Sequence, residues 1–244
     1  MSIQIAQEGN VQGNEVNQGL DRTAIRSTAR RSGYTDIAGT VTMLIGAALW
    51  GTSGTDLWAA LDSGDMAGYL AAVEAVKGQL VANLSVWIFG VLIFGVVGVM
   101  MAELSTQRRP LAKVALVCYQ TAVPLVIVSY IAMMAVVVLL GGESSATAVS
   151  LAEVVGGIGA RADDLGTALI IGLGPLFIAL AGHGEWVPNW LLRWGYLTGF
   201  VGVLSVALLY LPGMTAYAFI ILPVGMGWMI AAGVVLLRDN KNSA

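Results

Sequence analysis

The chain is poor in the residues that most protein chemistry uses. It holds one cysteine and one histidine in 244 residues. Cys118, read as lying within an apolar run, has no second cysteine to pair with, so an intrachain disulfide is excluded. A small core residue is the expected role for it. Zinc sites take three or four protein ligands, and a lone His183 cannot seed one. No glycine-rich loop ends in Lys-Ser/Thr, no nucleophile elbow is present, and no calcium-loop pattern occurs. Charge is scarce as well: Asp, Glu, Lys and Arg make up only 11% of the residues. No catalytic, cofactor-binding or metal site is expected, and no nucleic-acid partner.

Apolar residues take the place of this chemistry. They form 57% of the chain, and mean hydropathy is +0.79. A soluble chain of this length could not bury so much apolar surface in one core. Six runs approach or exceed the roughly 20 residues needed to cross a bilayer. They lie at about 37–54 (extendable to Leu61), 80–101, 114–140, 165–181, 191–211 and 215–237. Val91–Met101 and Ala132–Leu140 are apolar on every side, which excludes the alternation of barrel strands. The expected fold class is therefore all-α, a polytopic bundle of six transmembrane helices. Its membrane domain is 35–239, preceded by a cytoplasmic tail over 1–34 and followed by one over 240–244.

Basic residues sort by side. Arg22, Arg26, Arg30 and Arg31, then Arg108, Arg109 and Lys113, then Arg193, Arg238 and Lys241 account for ten of the twelve. All fall on one face of the six-span layout, so both termini are expected in the cytoplasm. Asp56, Asp62, Asp65, Glu74, Glu143, Glu153, Asp163 and Asp164 fall on the other face. Asp62/Asp65 and Asp163/Asp164 are candidate cation ligands, although a solvated acidic face is the expected reading. Trp58 and Trp87, and Trp186, Trp190 and Trp194, are placed at the two interfaces, where indole rings settle.

Residues 1–20 are rich in Gln, Asn and Gly and are expected to be disordered. Arg22, Arg26 and Arg30 recur every four residues, so a helix there carries a basic face. With Arg31 they are candidates for contact with anionic lipid or a partner, beside their role in setting topology. Met66–Lys77 and Thr147–Ala160 are expected as short surface helices in the outer loops, the second ended by Gly156, Gly157 and Gly159. A re-entrant lid is the alternative.

Within the spans no Asp, Glu, Lys, Arg or His falls at the centre. That argues against a proton-coupled pump. Gln120 is the most expensive polar residue to bury, so it is the candidate intramembrane polar site and should find a partner across a helix interface. Gly195 and Gly199, with Gly202, and Gly227 with Ala231 make small faces for close helix contact. Pro124, Pro175 and Pro223 are expected to kink three spans. His183 and Glu185 share a turn and read as a solvated exit from the membrane, with an acid–base pair as the alternative.

One stretch carries a resemblance. Val187-Pro188-Asn189-Trp190-Leu191-Leu192-Arg193-Trp194-Gly195, with Tyr69-Leu70, Leu222-Pro223 and the basic end at Arg238, resembles the small bacterial six-helix membrane proteins of the domain of unknown function 4386 family. The likeness covers about 35–239 and implies the same six-helix layout. Members often carry charge in the third helix and an acid after the proline of the sixth. Here Gln120 and Trp228 stand in those places, so an activity needing those charges is not implied.

The leading expectation is a non-enzymatic protein of the plasma (inner) membrane. It would act through lipid or protein contacts, as a homo-oligomer or with a membrane partner, using Arg22–Arg31 and the small faces. A carrier for an uncharged or amphipathic solute is the alternative, and an enzyme at His183 and Glu185 the third. A polar-lined cavity would favour the carrier.

Overall fold

The computed structural model describes residues 2–208, 211 and 219–238, with side chains from residue 25 onward. Every element among them is helical: α1 (Ser2–Gly51), α2 (Leu57–Ser63), α3 (Met66–Glu103), α4 (Arg109–Ala135), α5 (Ala146–Thr167), α6 (Gly174–Gly182), α7 (Asn189–Leu208) and α8 (Ile221–Arg238). Two wider π turns extend this set. Val136–Leu140 prolongs α4, and Ala168–Leu173 joins α5 to α6. Five continuous helices are long and apolar enough to cross a membrane: Met66–Glu103, Arg109–Leu140, Ala146–Gly182, Asn189–Leu208 and Ile221–Arg238. This is the make-up of a multi-pass membrane protein.

The two expected surface helices are corrected. Met66–Lys77 is the first part of the 38-residue α3, and Thr147–Ala160 belongs to a 37-residue rod ending at Gly182. At 1.5 Å per residue, α3 is about 57 Å long, well beyond a hydrocarbon core of about 30 Å. The glycines that were to end the second helix lie inside it, because they serve packing. Gly159 faces Met133 and Ser129 of α4, and the Ser129 hydroxyl donates to the Gly159 carbonyl at 2.7 Å. Asp56, Asp65 and Ser145 cap the starts of α2, α3 and α5, each accepting from a backbone N–H three residues on.

α1 is helical from Ser2, so its backbone takes in the stretch expected to be disordered; once a helix is anchored by packing, extending it costs little. The Arg22 side chain and the 240–244 tail lie outside the described residues, as does the expected start of the last span near Thr215. Arg26, Arg30 and Arg31 are exposed on α1. Further along, the helix is inverted relative to a soluble one. Ser32, Gly33, Asp36, Gly39, Thr40 and Gly46 face inward, while Val41, Leu44 and Ile45 are about half exposed.

Helix α1 packs along α3 and α8, α3 on α4, α4 on α5 and α6, and α7 on α6, α8 and the second π turn. A ladder fixes the first pair. Gln79, Asn83 and Trp87, four residues apart on α3, donate to the Leu49, Gly46 and Met43 carbonyls of α1 at 2.7, 2.8 and 3.2 Å. The small faces are used up inside the bundle rather than offered to a partner: Gly195 abuts Ala179, Gly202 abuts Gly172, and Gly227 abuts Trp194. Trp228 is fully buried and donates to the Leu191 carbonyl at 3.0 Å, locking α8 to α7. Of the three prolines, Pro124 sits in the interior of α4. Pro175 lies inside the continuous Ala146–Gly182 rod, directly after its π turn, while Pro223 falls in the first turn of α8, where an N–H has no helical partner to lose.

Candidate functional site

A cavity of about 300 Å³ lies where α1, α2, α3, α4, the second π turn and the start of α8 converge. Its lining is chiefly apolar rather than polar, and aromatic rings form a large part of it. Trp50, Trp58 and Phe219 form a triangle, with ring centroids 6.1, 5.9 and 5.9 Å apart. Trp87 adds to it 6.3 Å from Trp50, and Tyr130 stacks on Trp87 at 5.4 Å. Each of these rings comes from a different segment, and two of them are held by hydrogen bonds. The Trp87 indole is tied to α1 by the ladder, and the Trp58 N–H donates to Asp164 Oδ1 at 3.1 Å. Trp58 and Trp87 therefore point into the bundle and do not serve as an interfacial belt; their polar edges find partners inside, which removes the pull toward headgroups.

The polar side of the cavity is Asp163 and Asp164, near the end of α5. The two differ. Asp164 takes the Trp58 N–H and an ion pair from Arg161 at 3.4 Å. Asp163 is nine-tenths buried, and its Oδ1 has no hydrogen-bond partner. Tyr130 lines the same wall and its hydroxyl interacts with the Asp163 carboxyl, although Oδ1 itself has no hydrogen-bond partner. The backbone widens into the π turn directly after this pair, with the Ala168 N–H shared between the Asp164 and Leu165 carbonyls. Such turns often re-aim side chains at functional positions. The solvated acidic face expected for these residues is thus corrected: α5 is a bundle helix, and Gly159 and Gly166 bring its acidic turn close against α4.

Between α1 and α8 the lining residues Leu44 and Pro223 are also exposed on the outside of the bundle. Leu44 is 48% exposed, so the cavity wall there is one side chain thick and faces the lipid-exposed surface.

Gln120 is not part of this site. It lies on the exposed face of α4, with no interhelical hydrogen bond, because the inward positions beside it belong to Cys118, Tyr119 and Ala122. A second buried acid was also hidden from the composition. Asp36 is fully buried between α1 and α8, and neither carboxyl oxygen has a hydrogen-bond partner. The inward face of α1 therefore carries an ionisable group of its own.

His183 and Glu185 do not pair. His183 Nε2 meets Asn189 Oδ1 at 2.9 Å. The Glu185 carboxylate accepts the Thr106 N–H, the Thr106 hydroxyl and the Gln107 N–H at 3.0, 2.9 and 2.8 Å. Partial burial acts to raise its pKa, but those donors and the nearby Arg108 charge outweigh it and hold the carboxyl below its ordinary value. With Arg108 donating to the Leu180 carbonyl at 3.1 Å, this turn is a clasp between the α3–α4 and α6–α7 connections. Among the described residues no group of three His, Cys, Asp or Glu side chains is placed to hold a metal ion. No family model, curated protein or solved structure matches the chain.

Proposed function

We propose that this is a non-enzymatic six-helix protein of the plasma (inner) membrane that binds a small amphipathic solute inside its bundle, as the binding step of a carrier. The cavity is the observation that carries this reading. At about 300 Å³ it falls within the range of small-molecule sites, which are concave, largely apolar and fitted with a few convergent polar groups.

The sixth span in this reading is α1. Its mean hydropathy is lowered by the small and polar residues it turns inward, while Val41, Leu44 and Ile45 face out as Val117, Val128 and Ile131 do on α4. Six crossings put both termini on one side, and the sorting of basic residues favours the cytoplasm. This layout agrees with the resemblance to the domain of unknown function 4386 family, to which we assign the chain as a proposal. A C-terminal reporter fusion active only outside the cytoplasm would overturn the topology.

Solute binding is tested with the full chain in lipid nanodiscs, titrated with 4-bromobenzyl alcohol, an uncharged amphipath whose bromine quenches indole emission. Saturable quenching beyond that of partition into the lipid is expected. Ala47→Phe, which fills the cavity from a half-buried lining position, should abolish the saturable part. Partition-only quenching in the wild type, or equal saturation in the filled variant, refutes the reading.

A second reading keeps the contact role. Arg26, Arg30 and Arg31 stand exposed at the membrane-proximal part of α1, in position for anionic headgroups or an acidic membrane partner. The small faces of α7 and α8 no longer support it, since both are covered within the bundle.

A further inference from the structure

Charge decides what kind of solute the cavity suits. Asp164 is offset by Arg161 at 3.4 Å. Among the described residues no cation pairs with Asp163, and its Oδ1 is left without a hydrogen bond although the residue is nine-tenths buried. The site thus holds one carboxyl with no cation paired to it, deep among aromatic rings. An unpaired carboxyl inside a membrane bundle is costly and marks a functional site by default. A ligand bearing one positive charge would complete it.

The rest of the lining specifies that cation further. A metal ion needs several oxygen, nitrogen or thiolate donors, and two carboxylates of which one is already paired do not provide them. Among the other lining residues are the rings of Trp50, Trp58, Trp87, Tyr130 and Phe219, with aliphatic side chains between them. Aromatic faces attract an organic cation that has little hydration to lose, Trp best of all, and cages of this kind receive quaternary ammonium groups. Access fits as well. The thin wall at Leu44 and Pro223 faces the lipid-exposed side of α1 and α8, which a hydrocarbon-bearing cation reaches by first partitioning into the bilayer.

We propose that the cavity binds a lipophilic organic monocation, a quaternary ammonium or protonated amine. Its charged nitrogen lies at Asp163, and its hydrocarbon rests against Trp50, Trp58, Trp87 and Phe219. This rests on the solute-binding reading above and narrows its substrate class.

An isosteric pair of probes isolates the charge: benzyltrimethylammonium, and neopentylbenzene, in which carbon replaces the nitrogen. Both are titrated into the full chain in nanodiscs while indole emission is followed, with empty nanodiscs as the partition reference. The cation should bind roughly tenfold or more tighter than the isostere, as expected for a desolvated cation–carboxylate and cation–π contact. Asp163→Asn should reduce the preference to within about twofold while leaving isostere binding intact, and Asp163→Glu should retain it. Because Asp163→Asn must still bind the isostere, a misfolded variant is separable from a lost charge. Equal affinity for the two probes in the wild type overturns the cation assignment and leaves the solute cavity standing. A preference undiminished in Asp163→Asn overturns the placement of the charged nitrogen at Asp163. Saturable binding of neither probe overturns both.

Discussion

Gly46 holds the register of the bundle and the shape of the cavity together, and Gly46→Ala tests that link. An alanine Cβ at this position would overlap the Cδ1 and Nε1 atoms of Trp87. A flexible side-chain tip could swing away, but this indole cannot. Its N–H donates to the Met43 carbonyl at 3.2 Å, and its face stacks on Tyr130 at 5.4 Å. Overpacking a tight site costs about 1–3 kcal/mol. Displacing the indole adds the loss of an interhelical hydrogen bond, about 0.6 kcal/mol on average in membrane bundles and up to about 1.7. A destabilisation of about 2–4 kcal/mol is therefore expected, read from reversible unfolding in mixed detergent micelles followed by far-UV circular dichroism. Trp87→Leu removes the colliding ring. In that background Gly46→Ala should cost at least about 1 kcal/mol less, the coupling expected of residues in contact. The same variant should weaken saturable quenching by 4-bromobenzyl alcohol, because Trp87 is also a cavity wall. Stability within about 0.5 kcal/mol of wild type, the range of an uneventful surface change, would refute the reasoning. So would a loss undiminished in the Trp87→Leu background.

The same unfolding assay checks three further outcomes. Asp163→Leu should raise stability by about 1–3 kcal/mol, the cost of a buried polar group left unsatisfied, while abolishing the preference for the cationic probe; a fall would reveal a structural partner for Asp163. Gln120→Leu should change stability by less than about 0.5 kcal/mol, since the amide is exposed on the outer face of α4 and bonds to no other helix. For Glu185 the folded carboxyl lies below its ordinary value of 4.5, so its stabilising share is complete above that value and is lost as pH falls through the depressed one. Wild type should therefore exceed Glu185→Gln in thermal midpoint at neutral pH, and the gap should close in acid; a gap independent of pH would exclude the carboxylate as its source.

What the sequence disclosed follows from what each signal averages over. Hydropathy averages over a window, so each of the six apolar runs overlaps a helix, but the runs at 80–101 and 165–181 begin well inside Met66–Glu103 and Ala146–Gly182. It could not tell a surface helix from the projecting part of a span, because Met66–Lys77 and Thr147–Ala160 are amphipathic or apolar either way. Gly156, Gly157 and Gly159 suggest a helix end, yet in the bundle Gly159 lets α5 approach Met133 and Ser129 of α4, and Gly156 and Gly157 face Leu57 and Leu61 of α2. The turn at His183 was legible as a polar exit because its partners are loop groups close to the membrane surface. Its role as a clasp was not, since Thr106 and Gln107 lie about eighty positions away.

The acids show the same limit more sharply. Asp163 and Asp164 are neighbours with identical chemistry, and position in the chain put both in an acidic outer loop. Their fates diverge because a helix turns about 100° per residue. One turn earlier, Arg161 reaches Asp164 at 3.4 Å, while Asp163 faces the rings. Asp36 was missed for the converse reason. Its neighbours Tyr34 and Ile37 suggest a membrane edge, but the inward face of α1 is its polar face, and Asp36 lies on it with Ser32 and Thr40. Had α1 been read for an outward apolar stripe, Val41, Leu44 and Ile45 would have set the inward face and exposed the acid as buried. Nothing comparable would have assembled the cavity. Its six aromatic residues come from five separate segments, brought together by the Gln79–Asn83–Trp87 ladder and the Trp58–Asp164 bond, and none of these pairings spans fewer than 30 residues.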